Sequence, residues 1–155
     1  MMSRFHRCVC HGCWPLMAAL LALAWPFGQA VASEPAQAAP RVETMSRGDI
    51  SLTFTFTPPK VELDKDVLLS IRATAPSEIA VAIPPIDDRL EGFTLSGTID
   101  QDPVALSGRT TWERRFRLTP ILASEYRLAP MAIGFTDRRQ TPPESGWFPT
   151  RPVTL

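Results

Sequence analysis

The residues best suited to chemistry crowd the N-terminus. Cys8, Cys10 and Cys13 are the only cysteines, and His6 and His11 the only histidines. Cys10-His11-Gly12-Cys13 is a C-x-x-C, the spacing of a redox dithiol or half of a zinc site. A redox dithiol needs a folded frame that lowers one thiol's pKa, and structural zinc needs four fixed ligands. The surrounding sequence offers neither. Arg4, His6 and Arg7 form a positive n-region, Leu16 to Trp25 an apolar h-region, and Ala30-Val31-Ala32 a small-x-small cleavage site. Residues 1–32 therefore read as a secretory signal peptide, with Ser33 as the mature N-terminus. The h-region is shorter than the ~20 apolar residues of a membrane span, which makes an uncleaved anchor the weaker alternative.

Removing 32 residues from 155 leaves 123, with no Cys and no His, 14 basic and 16 acidic residues, and a net charge of −2. Without His or Cys there is no Ser-His-Asp triad, Cys-His pair or ordinary zinc site. A Ser-Lys dyad needs a buried lysine, and Lys60 and Lys65 both fall in a polar connection. Near-neutral charge argues against nucleic acid. No second apolar segment follows the signal, so no transmembrane helix is expected in the mature chain. The expectation is a non-enzyme without catalytic residues, metal or cofactor.

Three groups remain as candidates for binding. Asp87-Asp88 and Asp100-x-Asp102 fall in loops that can meet at one end of a sandwich, and oxygen-rich loops bind Ca²⁺ in some extracellular modules. The bland reading is that these aspartates start turns and stay solvated. Arg114, Arg115 and Arg117 make a basic strand, read either as a site for an acidic ligand or anionic lipid, or as solvated arginines paired with Glu113 and Glu125. Trp147-Phe148, in a Pro-rich loop with Arg151 close behind, is the best candidate contact surface. Its rival is a loop cap folded back over the core.

The elements that must position these groups are strands. In ISLTFTFT, Ile50, Leu52, Phe54 and Phe56 alternate with Ser51, Thr53, Thr55 and Thr57, the period of a half-buried strand. Val67 to Thr74 and Ile79 to Ile83 repeat the pattern. A fourth strand runs from about Phe93 to Ile99, with Phe93, Leu95 and Ile99 inward, before a turn at Asp102-Pro103. Trp112, Phe116 and Leu118 share one face of a fifth strand, with Arg114 interrupting it. Tyr126 to Phe135 follows, kinked at Pro130. Residues 138–149 read as a long loop, and TRPVTL as the closing strand. Residues 33–48 read as a flexible leader, with a short edge strand at Arg41 to Met45. About seven antiparallel strands without a helical period predict an all-β, Ig-like β-sandwich over residues 49–155. Tyr126 is expected to form a tyrosine corner, its hydroxyl bonded to backbone.

Pro59 to Leu63, IPPIDDRLEGFTLSG and RRFRLTPILASEYRLAPMAIGFTD together resemble the N-terminal Ig-like module of BatD-like oxygen-tolerance (aerotolerance) proteins. The matching positions are Pro84, Pro85, Gly92, Phe93, Tyr126, Pro130 and Ile133. The chain departs from the family in lacking further modules and a C-terminal transmembrane helix, and in having Ser124-Glu125 for the usual Gly before the Tyr. The resemblance implies a non-enzymatic scaffold or protein-interaction module of the cell envelope, periplasmic or otherwise exported. Its partner would be an envelope protein, of von Willebrand A type or a membrane protein. The alternative is a β-sandwich that binds Ca²⁺ or glycan through the Asp loops and Trp147.

Overall fold

The computed structural model describes residues 38–155; the expected signal peptide and cleavage site lie outside the described residues. Eleven strands follow in chain order: β1 (Arg41–Arg47), β2 (Ile50–Thr57), β3 (Val67–Pro76), β4 (Ile79–Ala82), β5 (Leu90–Glu91), β6 (Phe93–Leu106), β7 (Arg109–Pro120), β8 (Arg127–Leu128), β9 (Ala132–Asp137), β10 (Glu144–Pro149) and β11 (Val153–Thr154). A single turn of 3-10 helix at Asp87–Arg89 is the only helical element among the described residues. The chain is all-β, and every pairing is antiparallel.

One layer is a five-stranded sheet in the order β1-β2-β3-β7-β6. The strand expected at Arg41 to Met45 is present and extends to Arg47, so part of the leader belongs to the sheet. The other layer has two three-stranded pieces, β10-β9-β4 and β11-β8-β5. Register shows that they are halves of one sheet. β4 and β5 pair successively with β9 and β8, and β10 and β11 flank the other side of the same two strands. All three positions break at the same level, and each break contains proline: Pro84-Pro85, Pro130 and Pro152. Proline cannot donate to a ladder, so the sheet is interrupted rather than bent there.

The middle break is repaired by one side chain. Thr150 is buried; its backbone N–H donates to the Met131 carbonyl at 2.8 Å, and its hydroxyl accepts from the Met131 N–H at 3.0 Å. Buried backbone groups demand such partners. The core between the layers holds Leu52, Phe54 and Phe56 from β2, Leu69 and Ile71 from β3, and Phe116 and Leu118 from β7. Ile133 and Phe148 meet them from the other side. Trp112, which shares the Phe116 face of its strand, and Tyr126 and Phe135 pack against this core only half-buried.

Strand β6 departs most from expectation. Asp102-Pro103 is a bulge inside it, not a turn, and the chain reverses at Ser107-Gly108, both with positive φ. Two such residues between paired strands match the right-handed twist of a hairpin. A second bulge at Ser96 reverses the side-chain alternation. Phe93 is therefore buried and Leu95 half-buried, whereas Ile99, expected inward, is 57% exposed.

Tyr126 forms the expected corner, its hydroxyl donating to the Ile121 carbonyl at 2.9 Å. Its ring lies 5.2 Å from that of Phe93 and covers Gly92, whose carbonyl accepts from the Ile121 N–H.

Candidate functional site

Residues 144–149 form strand β10 and not a loop. Alternation along it sends Phe148 inward, 5% exposed, and Trp147 outward, 67% exposed. The two halves of the expected contact pair thus part company: Phe148 belongs to the core and only Trp147 is a surface residue. The signal was masked by Ser145 and Gly146, which have low β-propensity, and by the flanking prolines.

Trp147 is paired with Gly134 of β9, which is paired with Ala82 of β4. A Cβ placed on Gly134 would stand 3.3 Å from the indole, so the ring lies across the glycine. This is aromatic cover of a strand glycine. Behind it a Cβ on Gly146 would meet the Phe135 ring at 2.6 Å, so β9 and β10 grip each other from both faces. Ala80, Ala82, Gly134, Thr136 and Ser145 leave a shallow hollow of about 290 Å³ beside the Trp147 ring. The Thr136 and Ser145 hydroxyls lie 3.1 Å apart at its far end. Arg47 donates to the Trp147 carbonyl at 2.7 Å, fixing the outer edge of β10 from the opposite layer. The sequence did contain a clue to this hollow. Outward strand positions usually carry long polar side chains, and here they are Ala, Ala and Gly.

Arg151 is exposed but not on this face. Its N–H points to the Met45 sulfur at 3.5 Å, and with Arg41, Glu43 and Val153 it borders a groove between β1 and β11. The structure does not bring Trp147, Phe148 and Arg151 onto one surface.

The aspartates do not form the cluster that the Ca²⁺ alternative required. Asp100 is taken by Arg114, which binds it through Nε and, at 2.9 Å, through Nη2. That contact holds the Asp100 carboxyl below its ordinary range. Asp102 stands in the β6 bulge, and Asp88 pairs with Arg89. Among the described residues no three His, Cys, Asp or Glu converge as metal ligands.

The basic strand divides in two. Arg114, at an inward position, turns to the open side of the sandwich. It donates to the Ile83 carbonyl at 3.0 Å and lies 5.8 Å over the Phe116 ring. It thereby closes the free edge beyond β4. Arg115 faces the other way and shares Glu113 with Arg72. Burial pushes the Glu113 carboxyl up, but hydrogen bonds from Arg115, Arg72 and Ser70 outweigh it and hold the group down at about 2. At the end of the sandwich, Arg139 bridges buried Asp137 and Asp49; its hydrogen bonds lower the Asp137 pKa.

Compared with protein-family profiles, with curated proteins and with solved structures, the chain matches none. Among the described residues no helix is long and apolar enough to cross a membrane.

Proposed function

We propose that this protein is an exported, non-enzymatic binding module of the cell envelope, of the BatD-like kind. It works through the outer face of the interrupted sheet, with Trp147 as the anchor. The observation that carries this reading is the seating of that side chain. Trp147 is 67% exposed yet braced against Gly134, beside a hollow lined by small residues. A rigid aromatic costs little entropy when a partner covers it, and such residues dominate binding energy. The partner is an envelope protein, of von Willebrand A type or a membrane protein. The positions of the BatD-like pattern, by contrast, serve the frame: Gly92, Phe93 and Tyr126 build the corner, and Pro130 marks the sheet break.

The test is a photoreactive residue at position 147 in the protein expressed in its own cells, with Leu122, 87% exposed in a turn, as the control position. A discrete protein adduct at 147 alone is expected. Adducts of equal yield at both positions, or a purified protein that turns over a substrate, overturn the reading. Competition of the adduct by soluble oligosaccharide, in place of a protein band, would assign the same ring to a glycan.

A further inference from the structure

The five-stranded sheet has a second face, turned away from the core. Register places Val42, Leu68, Ile99, Val104 and Leu106 on it. These are five of the nine large apolar side chains that the described residues leave exposed. Three of them stand in a line on β6, and the Asp102-Pro103 bulge is what keeps Val104 on the same face as Ile99 and Gln101. Ile99, Val104 and Leu106 thus form an apolar row along the edge strand β6, while Val42 and Leu68 stand apart on β1 and β3. Such a row on an open sheet face is a candidate interaction site.

The charge between these side chains is positive. Arg72 and Arg115 have side-chain exposures of 53% and 39%, while the Glu113 they share is 10% exposed beneath them. Arg117, on the same face, makes no ion pair among the described residues, and Arg109 stands at the hairpin end. The remaining acid, Asp66, sits at the margin and accepts from Thr119. The groups presented to solvent are thus guanidiniums and isolated apolar tips set among Thr and Ser hydroxyls. A second copy of the chain laid on this face would oppose arginine to arginine. A planar, anionic, partly apolar partner satisfies both features at once.

We propose that this face docks on an anionic phospholipid surface. Arg72, Arg115 and Arg117 meet lipid phosphates, and Ile99, Val104 and Leu106 enter the headgroup layer. The Trp147 face belongs to the other layer, so a docked molecule keeps it free for a partner. Each basic group near an anionic membrane is worth about a fivefold change in partition.

The experiment is co-sedimentation of the full chain with vesicles of phosphatidylglycerol or of phosphatidylcholine. Because the full chain also carries the apolar run at residues 16–25, the readout is the preference for the anionic vesicles and not total binding. Wild type should show that preference and lose it at high salt. Arg117→Glu, which breaks no ion pair among the described residues, should cut it about twenty-five-fold, from a charge change of two at about fivefold each. Ile99→Ser with Val104→Ser should weaken binding to anionic vesicles while leaving the melting temperature in place. Arg138→Glu, in an exposed loop, should change it by less than about twofold. Equal partition of wild type on the two lipids overturns the proposal. So does binding to soluble polyglutamate that matches the vesicles and ignores the Ile99 and Val104 substitutions, which would assign the face to an acidic protein. A concentration-dependent dimer abolished by those same substitutions would assign it to self-association and overturn it equally.

Discussion

Glu113 lies under two guanidiniums and a serine hydroxyl, and its carboxyl is held at about 2 rather than 4.5. A depressed folded pKa stabilises fully above the unfolded value and is lost as pH falls through the folded one. Glu113→Gln should therefore remove part of the wild-type loss of stability between about pH 4.5 and pH 2, read as urea midpoints across that window. Gly92 gives a second residue-level test. Its φ is +81°, and a Cβ would meet the Glu125 carbonyl oxygen at 2.6 Å and the Tyr126 ring at 2.7 Å. Gly92→Ala should cost upward of about 2 kcal/mol. Gly48→Ala, at φ +55° in open space, should cost only the left-handed penalty of about 1 kcal/mol. Equal costs in a denaturation series would contradict the close packing of the corner. Tyr126→Phe should cost about 0.5–1.5 kcal/mol through the lost bond to Ile121.

At the scale of elements, the break in the second sheet depends on Thr150. Thr150→Val keeps the shape and leaves the Met131 N–H buried without an acceptor, at a cost of about 1–3 kcal/mol. Thr150→Ser should recover most of it, and amide exchange at Met131 should quicken only in the valine variant. In the five-stranded sheet, Phe116→Ala should cost about 3–5 kcal/mol, as its ring is 1% exposed, against under about 0.5 kcal/mol for Arg138→Ala. The strands legible in the sequence were those with strict alternation, such as β2, whose burial follows its pattern residue by residue. β10 was hidden because its inward and outward positions are Gly, Phe and Ser, Trp, which alternate in burial without alternating in polarity. The reversal at β6 was misplaced because Asp-Pro is a strong turn signal and Ser-Gly a weaker one, whereas an edge strand tolerates proline in a bulge. The residue type made Trp147 a candidate contact, and the structure places it on the surface. Its seat on Gly134 was not legible, since cross-strand register is a tertiary fact.

For the molecule as a whole, the alternation of apolar residues and the proline-marked strand ends sufficed to name an all-β sandwich, and the structure has that architecture. Its outer faces differ in chemistry, one small and aromatic, the other basic and hydroxyl-rich. Export predicts a mature N-terminus at Ser33, to be read by N-terminal sequencing of protein from the envelope fraction; a chain that still carries Cys8 would refute cleavage there. The order of the five-stranded sheet sets the timetable on which such a chain can fold. β1, β2 and β3 form a local meander, but the far side of β3 waits for β7. Its nearest partners in sequence, Pro76 and Arg109, are 33 residues apart (109 − 76), and Val67 and Leu118 are 51 apart (118 − 67). A polypeptide emerging N-terminus first therefore holds β3 with one side unpaired through the synthesis of three further strands. The interior is sealed only when Phe148 and Val153, near the last residue, come down on it. The core between the two layers therefore stays incomplete until β10 and β11 have joined it, however early the β1–β3 meander forms.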